Sequence, residues 1–173
     1  MFTNQARIFV SLMFLALAAF FIYQHTYELA AVALLLTAFL VWGYFKEGTI
    51  VLAARHFHHK EYDKAEKLLL QVRNPGYLSK KRRGFYEFIM GGVNLQKRDF
   101  DAAEKHYEVA AQYPLRSVND HVAALVHVAN ISIRNGDYDK AEAYLTLADK
   151  HKDSITAKMR DVLSTLHKEL KKH

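Results

Sequence analysis

The apolar and polar positions divide the chain near residue 46. Before that point two runs carry no charge, IFVSLMFLALAAFFIY at 8–23 and LAAVALLLTAFLVWGYF at 29–45. Neither run has a polar stripe at helical spacing, so neither reads as a surface helix of a globular domain. Each is slightly short of the ~20 residues that span a hydrocarbon core, but comes within range once its polar flanks are added. Only QHTYE joins them, and the pattern predicts a transmembrane helical hairpin over 1–46. Tyr23, Tyr27, Trp42, Tyr44 and Phe45 fall near the predicted ends, where aromatic rings prefer the interface. A cleaved leader is the alternative for the first run, but its small-residue site, Ala16-Leu17-Ala18, falls inside the apolar stretch.

After residue 46 the pattern turns amphipathic and periodic. EYDKAEKLLLQV at 61, DFDAAEKHYEVA at 99 and DYDKAEAYLTLA at 137 align without gaps, at the same interval both times. Self-similarity at such a fixed period signals stacked helical units. Tyr62, Phe100 and Tyr138 are each followed three residues on by Ala65, Ala103 and Ala141, and four further on by Leu69, Tyr107 and Leu145. That spacing puts a ring, a methyl group and a large apolar side chain on one helical face. The repeated Asp and Glu of the DxxAE pattern read as a solvated face of the second helices. Pro75 and Pro114 mark the ends of the preceding helices. Beyond the third unit, Ile155, Met159, Val162, Leu163, Leu166 and Leu170 form one apolar stripe on a charged helix, with Asp153 or Ser154 as its cap. This helix is expected to cover the end of the stack.

The third unit, AALVHVANISIRNGDYDKAEAYLTLADKH, resembles the tetratricopeptide repeat (TPR) family of stacked antiparallel helix pairs. Leu125, Val128 and Ala129 match its first-helix packing positions, Gly136 its turn glycine, and Tyr138, Ala141, Leu145 and Ala148 its second-helix positions. The second unit contributes Gly91, Phe100, Ala103, Tyr107 and Ala110; the first contributes Leu52, Ala53, Tyr62, Ala65 and Leu69. The family unit is shorter than the interval between these units. The extra length here fits the connections RNPGYLSKK and QYPLRSVND. The resemblance spans roughly 48–151 and implies an all-α solenoid. The expected organisation is a hairpin over 1–46, three TPR-like repeats at about 47–79, 80–117 and 118–153, and a capping helix over 154–173.

The resemblance also implies a concave face, lined by first helices, that receives a peptide or a partner helix. The matching positions are Phe57 and His58, then Phe85, Phe88, Gly92, Leu95 and Gln96, then Val126, Asn130, Ile133 and Arg134. The lysine- and asparagine-rich pattern by which some members clamp a terminal carboxylate is not reproduced.

Composition narrows the chemistry. With no cysteine, disulfides, thiolate metal sites and cysteine nucleophiles are excluded. The formal charge of +6 lies almost entirely after residue 45. The run Lys80-Lys81-Arg82-Arg83 is a candidate contact for anionic headgroups or an acidic partner. The loop at 24–28 carries no Lys or Arg, whereas Arg7 and Lys46 flank the hairpin. The positive-inside rule then predicts an integral membrane protein with both termini and the repeats in the cytoplasm, in a bacterial inner membrane.

His56, His58 and His59 raise a metal or pH-sensing reading, but the other two units place no ligand at these positions and no HExxH-type set is completed. No metal, cofactor or nucleic acid is expected. Gly91-Gly92 lies in a helical pattern, not in a phosphate loop, and no catalytic constellation can be located from spacing. The expected function is non-enzymatic: a membrane-anchored scaffold or adaptor with protein partners in its groove and the lipid bilayer as anchor. The alternative is a subunit of a larger membrane complex, with Gly43 and the alanine-rich faces packing against other transmembrane helices.

Overall fold

The structure is a computed structural model. It describes residues 4–172, and the side chains of 4–8, 40 and 43–47 lie outside the description. The chain divides into two units, 1–52 and 53–173.

In the first unit, α1 (Asn4–Tyr23) is followed by a short turn and by α2 (Tyr27–His58), which continues into the second unit. His25 turns the chain at φ 56°, and the Thr26 hydroxyl donates to the Phe21 carbonyl. Among the described residues the buried positions of this unit are the small Ala18, Ala30, Ala33 and Thr37, whose hydroxyl returns to the Ala33 carbonyl, and Ile50 near its end. Phe9, Leu12, Leu35, Phe39 and Trp42 are exposed.

Among the described residues no helix is long and apolar enough to cross a membrane. This overturns the expected integral membrane placement. The reason is the extent of the apolar runs, not of the helices that carry them. At 1.5 Å per residue, the runs 8–23 and 29–45 extend only about 24–26 Å, against ~30 Å for a hydrocarbon core. The inner-membrane setting, the cytoplasmic orientation, and the bilayer and transmembrane-helix partners fall with it. Gly43, Tyr44, Phe45 and the expected start of the first repeat at Glu47 lie outside the described side chains.

The second unit is a stack of helix pairs. The end of α2 precedes α3 (Tyr62–Leu70); α4 (Lys80–Gln96) pairs with α5 (Phe100–Ala111); α6 (Val118–Asn135) pairs with α7 (Tyr138–Asp149); and α8 (Ala157–Leu170) closes the series. Packing runs between neighbours, α3 on α4, α4 on α5, α5 on α6, α6 on α7, and α8 on both α6 and α7. The core follows the sequence period. Ala65 and Leu69, then Ala103, Tyr107 and Ala110, then Ala141, Leu145 and Ala148 are all buried.

Small residues of the first helices recur in register with the large ones of the second. Leu69, Tyr107 and Leu145 are matched, in the same register of the first helices, by Ala53, Gly91 and Ala129, all buried. Where the knob is largest the hole is a glycine: a Cβ at Gly91 would stand 3.0 Å from the Tyr107 ring. That ring stacks on His127 at 4.5 Å and meets Phe88 edge-on at 5.7 Å. Burial raises the Tyr107 phenol above its ordinary pKa and pushes the His127 imidazole down to about 4.

The turns inside each pair also keep the period. Lys60, Arg98 and Gly136 hold the same place in successive units, and all have positive φ, of 61°, 63° and 80°. Each completes the same helix ending. In the third, the Gly136 amide donates to Ile133 and the Asp137 amide to Ser132, which satisfies the last carbonyls of α6. Asp99 and Asp137 then cap α5 and α7 by accepting from the amides of Ala102 and Lys140.

Between pairs, the helices end ahead of the prolines. The caps are Gln71 and Gln112, and Pro75 opens a short 3₁₀ turn, Pro75–Tyr77. The expected Asp153 or Ser154 cap of α8 is not formed. Both residues sit in a 3₁₀ turn, the chain extends through buried Ile155, and α8 starts after Thr156, whose amide donates to Asn119. The stripe of α8 buries Leu163 and Leu166 and packs Met159 and Leu170 at the edge, while Val162 stays exposed.

Candidate functional site

Three helices bring their residues to one cavity of about 310 Å³. The end of α2 supplies Ala54, Phe57 and His58, α4 supplies Phe85, Phe88 and Ile89, and the start of α6 supplies Arg116, Ser117 and Asp120. Two of these sets, 54/57/58 and 85/88/89, follow the i, i+3, i+4 spacing of a single helical face.

Glycines set the walls. A Cβ at Gly92 would collide with the Phe57 ring, so glycine lets α2 and α4 close. A Cβ at Gly84 would stand 2.8 Å from Tyr113 and 2.9 Å from Leu115. Glycine there lets the connection lie on α4 and carries Arg116 to the rim. The Ser117 hydroxyl accepts from the Asp120 amide at 3.1 Å, which fixes the first turn of α6. The walls are therefore aromatic, with Arg116, His58 and Asp120 as polar groups at the edge.

Of the residues expected to line a groove, Phe57, His58, Phe85 and Phe88 meet here. The others do not. Val126 and Ile133 are core residues packed with Leu145 and Leu163. Leu95 packs against the cluster of Ala103 and Tyr107. Arg134 lies 4.0 Å over the Phe100 ring, and Gln96 and Asn130 are exposed away from the cavity lining. A helix's sequence period gives a stripe but not which neighbour that stripe faces, and in α6 Val126 and Ile133 fall on the stripe that closes against α7 and α8. Ala54 and Ile89 were within reach of the spacing argument; Arg116, Ser117 and Asp120 were not, because a connection places them.

The basic run divides. Lys80 and Lys81 are exposed, whereas Arg83 Nε lies 2.6 Å from Glu87. Glu87 is only 3% exposed, and His106 of α5 approaches its other oxygen at 2.5 Å. The i, i+4 spacing of Arg83 and Glu87 was within reach of the sequence, but the burial of Glu87 and its second partner, His106, were not, since His106 lies on another helix.

The DxxAE carboxylates are not uniformly solvated as expected. Glu66 pairs with Lys97 of the next unit. Glu104 accepts from the buried Ser132 hydroxyl at 2.7 Å and pairs with Lys140 at 2.9 Å, while Glu108 holds the same lysine at 2.6 Å. Burial opposes the Lys140 charge, but its hydrogen bonds to Glu108 and Glu104 outweigh that and raise its pKa.

The histidine cluster is likewise dispersed. His56 pairs with Glu61 at 2.5 Å, whose carboxyl is held down at about 2 by hydrogen bonds from Lys64 and His56. His58 faces the cavity and His59 is exposed. Among the described residues no group of three or more acidic or imidazole side chains is arranged to hold a metal ion.

Compared with known proteins, residues 37–165 match a family model described as the SusR N-terminal TPR domain. The match begins inside α2 and takes in 37–46, which the apolar pattern assigns to the hairpin. No curated protein and no solved structure matches the chain.

Proposed function

The chain belongs to the family of the SusR N-terminal TPR domain, and on that basis we propose that it is a protein-interaction scaffold that receives a peptide segment in the cavity between α2, α4 and α6. The observation that carries this is the convergence of Phe57, Phe85 and Phe88 from two helices around about 310 Å³, with Arg116 and His58 at the rim. Aromatic side chains in a recess, edged by an arginine, are the composition of binding hot spots. The volume suits one or two apolar side chains of a bound segment.

The reading is of binding and not of catalysis. The one hydroxyl at the cavity, Ser117, is engaged as the helix cap, and His58 is not drawn toward it by any hydrogen bond among the described residues.

A photo-crosslinking residue at position 85 tests this, with a second at exposed Lys105 on α5 as control. The expected result is a discrete adduct from position 85, absent from position 105 and lost in an Arg116→Glu chain that melts as the parent does. An adduct indifferent to Arg116→Glu, or none from position 85, sinks the reading.

A further inference from the structure

The second surface lies at the end of the stack and is independent of the cavity. Each second helix presents a forward face to the next pair. On α3 Glu66 takes Lys97, and on α5 Glu104 and Glu108 take Lys140. Tyr144, one turn beyond Lys140, packs partly buried against the cluster of Ala103, Tyr107 and Ala110.

The same face of α7, one repeat on, consists of Asp139, Glu142, Ala143, Thr146 and Leu147, and it lines an open groove. Glu142 is exposed, and Leu147 is 42% exposed. The helix α8 does not cover this face. Leu163 falls one full repeat after Leu125, and α8 packs on α6 and α7 as the first helix of a fourth pair. Among the described residues no helix occupies the place of the second helix of that pair.

We propose that a lysine-bearing amphipathic helix of a partner protein docks on α7 beside α8, completing the fourth pair. Its chemistry follows from the interface one repeat earlier. A lysine meets Glu142 as Lys140 meets Glu104, and a tyrosine or large apolar residue four positions later lies against α7 as Tyr144 lies against α5. Leu147, in register with Val109 of α5, supplies apolar surface at the far end of the groove. The groove is acidic through Asp139 and Glu142, which complements the lysine.

The probe is a fluorescein-labelled helical peptide with the sequence of residues 138–150, stapled through positions 139 and 143 and titrated into the full chain by anisotropy. Expected is saturable binding that weakens about tenfold or more in a Glu142→Lys chain whose circular-dichroism melt is unchanged. A peptide carrying Lys140→Glu then binds the Glu142→Lys chain better than the parent. That exchange is one a merely structural defect does not produce. No saturable binding, or binding indifferent to the charge exchange, overturns the proposal. Self-association of the unmodified chain that Glu142→Lys abolishes overturns it in favour of a second copy as the occupant.

Discussion

The second and third helix pairs share a period, a turn and a cap, yet they differ in what surrounds them. α5 has a neighbour on both sides, so its Glu104 is enclosed by Ser132 and Lys140. α7 has α8 beside it but, among the described residues, no second helix beyond, and its Glu142 faces solvent. The second pair also packs a larger knob, Tyr107 over Gly91, where the third packs Leu145 over Ala129. A repeated sequence thus reproduces local geometry without reproducing environment.

Three pairs of substitutions press on that difference, in descending size. Glu104→Ala strips the buried Ser132 hydroxyl and Lys140 of a charged partner, and it is expected to lower unfolding stability by about 2 kcal/mol. Glu142→Ala, in the same register, is expected to stay within about 0.5 kcal/mol. Urea denaturation of both chains measures the contrast, and equal losses would show that α7 is covered in solution.

Gly91→Ala drives a methyl into a Tyr107 ring that His127 backs on the other side. The strain exceeds the ~1 kcal/mol helix-propensity gain, leaving a net loss of about 1–2 kcal/mol. Tyr107→Leu in the same chain reproduces the third pair's Leu-over-Ala packing and is expected to recover most of that loss. A double-mutant cycle with no coupling would separate the two positions.

The smallest effect concerns the turns. Arg98 holds the left-handed conformation that Gly136 holds freely. Arg98→Gly is expected to raise stability by about 0.5–1 kcal/mol, and Gly136→Ala to lower it by about 1 kcal/mol. Opposite shifts in the urea midpoint are the signature.

Much of this architecture was legible from residue identities. Ala65, Ala103 and Ala141 announce close helix approach because no larger side chain fits there. Gly136 announces a helix ending, and the same register finds Lys60 and Arg98 performing it without glycine. The cavity was half legible. Phe57, His58, Phe85 and Phe88 share faces of regular helices, whereas Arg116 and Ser117 come from a connection whose path Gly84 permits, and Asp120 from the first turn of α6 that follows it. The apolar runs before residue 46 were legible as apolar, but their length decided against a membrane span.

Residue identities alone dictate the helix pairs, their even period and the sizes of knobs and holes, because these depend on residues one or two turns apart. What each repeated carboxylate does is settled only by the assembled stack. Glu66 and Glu104 are paired and Glu142 is open, because an ion pair between helices requires a helix in the neighbouring place, and the period of one helix does not record whether the next is there.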